Sequence, residues 1–313
     1  MTDGLDGWDR LDPALRAVAT TRTNFSLRAV KLMREPFDDR RREAAALVDV
    51  SGLQIADHTA QAEAARVPVR VYRDGQTEPA PVVVFCHAGG FALGNLDTDH
   101  RQCVELARRG RCTVVSVDYR LSPEHPYPAA LDDATTALRW VAANATELGV
   151  DAARIAVAGS SAGATLAACL AHGSADGTVP AVAFQLLHQP VLDDRETPSK
   201  AEFGASPAFD SEAADLMWRH YLGPGTASAA AVPARQGRFA GLPTALITCA
   251  EIDPLRDEAV DYALKLLHAG VSTDLHVFAR TCHGFDSLLP DWSASQRLFE
   301  LQGEALSRSW DNA

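Results

Sequence analysis

The stretch Ile155-Ala156-Val157-Ala158-Gly159-Ser160-Ser161-Ala162-Gly163 decides the reading, together with the Ala- and Leu-rich run ATLAACLA that follows at 164–171. A short apolar run, a tight small-residue turn and a helical stretch predict strand–turn–helix. In that setting G-x-S-x-G acquires chemical meaning, because a sharp turn projects one serine hydroxyl above the sheet. Residues two before and two after that serine must be small, since strand and helix nearly touch there. Gly159 and Gly163 meet the condition for Ser161 and not for Ser160. The start of the helix offers free N–H groups and a positive dipole end to a developing anion.

Working outward, apolar runs recur at Val82–Cys86, Thr113–Val117, Val182–Leu187, Thr244–Thr248 and Leu275–Phe278. Helical stretches are predicted between most of them, at about 99–109, 131–147, 161–172, 256–269 and 293–308. Alternation of this kind predicts an α/β fold with a mostly parallel sheet covered on both faces. Upstream, Leu53–Asp57 and Val67–Tyr72, with the turn signal Asp74-Gly75, predict a strand pair that begins the sheet. Residues 11–50 look helical, with Pro36 breaking the pattern and a second segment at 39–48. Between Val191 and Gly241 the alternation stops, apart from one predicted helix at 211–222 and a low-complexity loop, Ala227–Ala231. An excursion of that size between strands usually serves as a cap or lid.

His87-Ala88-Gly89-Gly90-Phe91 follows the Val82–Cys86 run directly. Consecutive glycines let backbone N–H groups face a site unobstructed, so Gly89 and Gly90, with Ala162, are candidate oxyanion donors. A serine needs a base, and the base an orienting carboxylate. Asp253, in Glu251-Ile252-Asp253-Pro254, and His283, in Cys282-His283-Gly284-Phe285, follow successive apolar runs in the order Ser, acid, His. Glu251 and Asp257 are rival acids, Asp257 falling inside a predicted helix. The other nine histidines are read as structural, His87 as an anchor of its own loop.

These motifs resemble the hormone-sensitive-lipase-like (bacterial HSL, family IV) esterases. Asp253-Pro254-Leu255-Arg256-Asp257-Glu258 and Asp118-Tyr119-Arg120-Leu121-Ser122-Pro123-Glu124-His125-Pro126 extend the match to about residues 70–310, the latter as scaffold. The resemblance implies the α/β-hydrolase fold: an eight-stranded, mostly parallel sheet with helices on both faces and a helical cap. It implies N-terminal cap helices at 1–50, a catalytic core at 51–190 and 241–313, and a cap insertion at 191–240. It implies cofactor-free hydrolysis of short- to medium-chain acyl esters through an acyl-enzyme. Ser161 would be nucleophile, Asp253 acid and His283 base, with Gly89, Gly90 and Ala162 as the oxyanion hole. Phe25, Phe91, Phe203, Phe209, Trp218 and Tyr221 are the candidate substrate-binding side chains. The sequence departs from the family at Ala88, where the first glycine of HGGG stands, and at Ser160, where an acidic residue is usual. Both departures bear on substrate range. Other uses of the site are an acyltransferase or amidase, then a lyase or dehydratase, then a non-catalytic receptor. Dimers in the family leave a homodimer open.

The chain has 313 residues, 47% of them hydrophobic, and a formal net charge of −12. That charge disfavours a nucleic-acid partner. No run reaches the 18 or so apolar residues of a membrane span, so no stable membrane insertion is expected. The opening MTDGLDGWDR shows no signal peptide. Cys86, Cys103, Cys112, Cys169, Cys249 and Cys282 form no C-x-x-C pair, and read as free thiols of a cytoplasmic protein. No metal or nucleotide motif appears. Asn144-Ala145-Thr146 matches a glycosylation acceptor but falls in a predicted helix.

Overall fold

The structure, a computed structural model, describes residues 6–62, 65–75, 79–224 and 228–311. The first five residues of the N-terminal decapeptide and Ala227 of the Ala227–Ala231 loop lie outside the described residues. Eight strands form one sheet: β1 Gln54–Gln61, β2 Arg66–Arg73, β3 Ala80–Cys86, β4 Thr113–Val117, β5 Val150–Ser160, β6 Phe184–His188, β7 Thr244–Ile252 and β8 Thr273–Cys282. The helices are α1 Pro13–Arg16, α2 Leu27–Ala46, α3 His100–Gly110, α4 Ala129–Ala143, α5 Ala145–Leu148, α6 Ala162–Ala175, α7 Pro198–Glu202, α8 Ser211–Leu222, α9 Arg256–His268, α10 Phe285–Leu288 and α11 Ser293–Asp311.

The strand order is β1-β2-β4-β3-β5-β6-β7-β8, with β2 antiparallel to both its neighbours and the remaining pairs parallel. Alternate strand residues point to opposite faces, and each face has its own helices. Val82, Val84, Val115, Ile155, Val157 and Ile247 pack with α4, α6 and α9. Val83, Phe85, Val114, Ala156, Ala158 and Leu246 pack with α3 and α11. Burial on both faces explains why β3 and β4 are buried along their whole length. Among the described residues, no helix is long and apolar enough to cross a membrane.

Three expectations shift. Pro36 lies inside α2 rather than ending it. A proline removes one backbone donor and crowds the carbonyl four residues back. Here that carbonyl belongs to Leu32, which is 66% exposed, so water can take the lost partner's place. The predicted helix at 131–147 is two helices, with Asn144 between α4 and α5 and its Nδ2 donating to the Trp140 carbonyl at 2.8 Å. The last strand begins two residues before the apolar run and ends four after it, carrying the chain to His283.

The N-terminal segment and the 191–240 insertion meet over the C-terminal ends of the strands. Arg22 bridges to Ala208, Thr23 Oγ1 donates to the Ala208 carbonyl at 2.7 Å, and the Arg22 guanidinium pairs with Asp210. Arg34 of α2 donates to the carbonyls of Ala92 and Ser122 at 2.9 and 2.8 Å, tying α2 to the core. A third apolar cluster joins Leu11 and Leu15 to Phe203, Ile252, Phe278 and Phe285 beneath them.

Candidate active site

The turn after β5 places Ser161 at φ 53, ψ −117, a left-handed backbone that costs a non-glycine residue about 1–3 kcal/mol. The flanking glycines explain how it is held. A Cβ on Gly159 would lie 2.3 Å from the backbone of Gly163, and one on Gly163 would lie 2.0 Å from the Cys86 carbonyl oxygen. The Ser161 N–H donates to the His188 carbonyl at 2.8 Å, fixing the turn against β6.

Ser161 Oγ lies 3.0 Å from His283 Nε2, and His283 Nδ1 lies 2.8 Å from Asp253 Oδ2. Asp253 is fully buried, and its other oxygen accepts the Leu255 N–H at 2.9 Å. The rival acids are committed elsewhere. Glu251 accepts from the Arg280 N–H and from Arg10, both at 2.7 Å. Asp257 accepts the Ser199 N–H at 2.8 Å, holding α7.

Gly89 and Gly90 adopt φ 128 and 61, open only to glycine at low cost. Among the described residues, the N–H groups of Gly89, Gly90 and Ala162 have no acceptor. Asp99 Oδ2 accepts the Ala88 N–H at 2.7 Å and holds the loop from behind. Burial pushes the Asp99 carboxyl up, against that hydrogen bond and the attraction of Arg41. His87 anchors the same loop: its Nδ1 meets the Ala88 carbonyl at 2.7 Å and its ring stacks on Tyr119 at 4.2 Å. Burial lowers His87 to about 4, so it stays neutral. The Asp118–Pro126 stretch is the loop's support, Tyr119 donating to the His87 carbonyl at 2.7 Å and Ser122 N–H to that of Phe91 at 2.8 Å.

These groups open on a cavity of about 220 Å³. Of the six candidate substrate-binding side chains, Phe25 and Phe209 line it. The Phe209 ring lies 4.9 Å from that of His283, and a Cβ on Gly90 would strike the Phe25 ring at 2.4 Å. The other four candidates do not line it. Phe91 is fully buried and stacks on Tyr221 at 3.9 Å, with Trp218 at 6.0 Å from each. Phe203 sits in the third cluster between the guanidinium groups of Arg10 and Arg256, 5.6 and 5.3 Å from its centroid. The aromatic surface that fastens the insertion to the core is indistinguishable in sequence from one that faces substrate. Sequence reasoning missed Phe37, Arg41, Asp99 and Gln189, which do line the cavity and belong to no short motif.

All six cysteines are free and buried, and burial raises the thiols of Cys86, Cys169, Cys249 and Cys282 to about 12. None is poised as a nucleophile. Among the described residues, no cluster of three His, Cys, Asp or Glu side chains is arranged to hold a metal ion.

The model of the Abhydrolase_3 family, described as an alpha/beta hydrolase fold, matches residues 83–287. The chain is 42% identical over 241 residues to esterase LipI of Mycobacterium tuberculosis, covering 74% of this chain and 75% of that protein. It is 43% identical over 231 residues to carboxylesterase NlhH of the same species, covering 70% and 71%. Among solved structures, esterase LipW from Mycobacterium marinum superposes with a TM-score of 0.96 at 65% identity, over 98% of both chains. A bacterial heroin esterase superposes with a TM-score of 0.91 at 36% identity, over 96% of this chain and 98% of that one.

Proposed function

This chain belongs to the Abhydrolase_3 family of the α/β-hydrolase fold and is a carboxylic ester hydrolase, and from that premise we propose that it works through a seryl acyl-enzyme on short-chain acyl esters. The observation that carries the mechanism is the continuous hydrogen-bond chain from Ser161 Oγ through His283 to buried Asp253, opening on a cavity beside unpaired N–H groups. His283 takes the Ser161 proton as the hydroxyl oxygen attacks the ester carbonyl. The N–H groups of Gly89, Gly90 and Ala162 receive the oxyanion. His283 then protonates the leaving alcohol and activates water, which releases the acid and restores Ser161. Each oxyanion donor contributes about 2.7–4 kcal/mol to lowering the barrier. Asp253 orients the ring and stabilises the imidazolium without itself taking a proton.

Two features support short acyl groups. The cavity, about 220 Å³, is small, and Phe25 and Phe209 stand over the glycine loop and the histidine. The segment between the N-terminal helices α1 and α2 supplies Phe25 and the 191–240 insertion supplies Phe209, which supports a role for both parts as the cap. The six buried free thiols support a reducing, cytoplasmic place of action.

A panel of p-nitrophenyl esters from acetate to palmitate tests the reading. Turnover is expected to be greatest on the short esters, and Ser161→Ala is expected to reduce kcat by about 10⁴-fold or more. No turnover by the wild type at any chain length refutes the esterase mechanism. Undiminished turnover by the variant refutes the nucleophile.

A further inference from the structure

β8 is an edge strand, so the loop carrying His283 leaves a strand that is held from one side only. That loop must nonetheless keep Nε2 within hydrogen-bond reach of Ser161, and a misplacement near 1 Å can cost about 10²-fold in rate. What holds it comes from the end of β6, His188, and the residue after it, Gln189. His188 and Gln189 are 0% and 1% exposed. The His188 carbonyl accepts the Ser161 N–H at 2.8 Å, and the Gln189 N–H donates to the Thr248 carbonyl at 2.6 Å. Gln189 Oε1 accepts the N–H of Gly284, the residue after His283, at 2.6 Å. His188 Nε2 meets Asp286 Oδ1 at 3.1 Å, and its Nδ1 meets Thr248 Oγ1 at 2.8 Å. The last residue of β6 and the one that follows it therefore touch the elbow, β7 and the histidine loop.

Gln189 makes these contacts from φ 45, a left-handed backbone that a non-glycine residue keeps only when its surroundings over-determine it. Its Nε2 is buried and has no partner among the described residues, so the side chain's one hydrogen bond is the one to Gly284. We propose that Gln189 is a positioning residue, whose side-chain oxygen fixes the His283 loop against the nucleophile that its neighbour His188 holds from the other side. The inference rests on His283 being the base of the proposed mechanism. The charged groups around His283 are Asp253 after β7, Asp286 of α10, Asp99 before α3 and Arg41 of α2. His188 holds the Asp286 carboxyl below its usual value, against burial, so that carboxylate stays charged beside the site.

Two variants test the proposal with p-nitrophenyl butyrate. Gln189→Met keeps length and removes the acceptor. It is expected to lower kcat about 10- to 100-fold with KM changed less than about threefold, and to slow acylation and deacylation together because both use His283. Gln189→Glu keeps the acceptor and adds a charge. It is expected to regain kcat to within about threefold of wild type and to move the acid limb of the pH profile upward. A folded Gln189→Met with wild-type kcat overturns the proposal. If that variant does not fold, Gln189→Glu decides alone, and an unmoved acid limb or a kcat loss beyond tenfold overturns it. Ser161→Ala run beside them separates the two failures, since undiminished turnover there removes the Ser161–His283 mechanism itself.

Discussion

Gly163 is one of the positions where the chain tolerates least. Its absent Cβ leaves room for the Cys86 and His87 carbonyls, which a methyl group would approach to 2.0 and 2.6 Å. Gly163→Ala therefore has to push α6 away from β3, and it is expected to cost about 3 kcal/mol. Gly177→Ala is the control: φ 70 with nothing within 4 Å means backbone strain alone, about 1 kcal/mol. Comparing urea midpoints of the two separates crowding from conformation, and equal losses would contradict the crowding account. Side chains defined by covalent chemistry were legible before any fold was known. Ser161, Asp253 and His283 are types that the proposed acyl-enzyme mechanism requires, each after a predicted strand. Gln189 and Asp99 act by hydrogen-bonding backbone N–H groups, a job many residue types perform, so nothing in sequence marks them.

At the scale of elements, the strands were readable because burial on both faces forces continuous apolar runs. The insertion was readable only as an interruption. Its attachment depends partly on a buried ion pair that no pattern announces. Lys200 of α7 lies 3.1 Å from Glu258 of α9, with side chains 2% and 0% exposed, and donates to the carbonyls of Asp193 and Arg195. Glu258 Oε1 accepts the Leu192 N–H at 2.7 Å. Removing one member of such a pair strands the other, so Lys200→Met is expected to lose about 3–5 kcal/mol. Adding Glu258→Gln, which retains the Leu192 contact, should recover at least half of that in urea unfolding. No recovery would mean that the two backbone carbonyls, rather than the stranded carboxylate, set the loss. Pro36 teaches the complementary lesson: a helix breaker is overruled where the carbonyl it abandons faces water.

For the molecule as a whole, burial sets opposing responses to pH. His87 and His172 are lowered to about 4, so between about pH 4 and 6.5 the unfolded chain binds more protons and stability falls on acidification. Burial raises Asp118 to about 6 and Glu258 to about 7. There the native state binds more protons, and stability falls as pH rises from the ordinary carboxyl range through those values. The two sets overlap and flatten the curve. Asp118→Asn removes one opposing group, so urea midpoints measured from pH 4 to 6.5 should climb more steeply than in the wild type. A parallel slope would show that Asp118 titrates alike in both states. The separation along the chain of the groups that meet at Ser161 has a consequence in time. Ser161 and His283 stand 122 residues apart, and the histidine arrives with the outermost strand. The elbow and glycine loop belong to the centre of the sheet, but the proposed hydrolysis needs its rim as well, so turnover regained during refolding reports that β8 has docked, which collapse of the core alone does not.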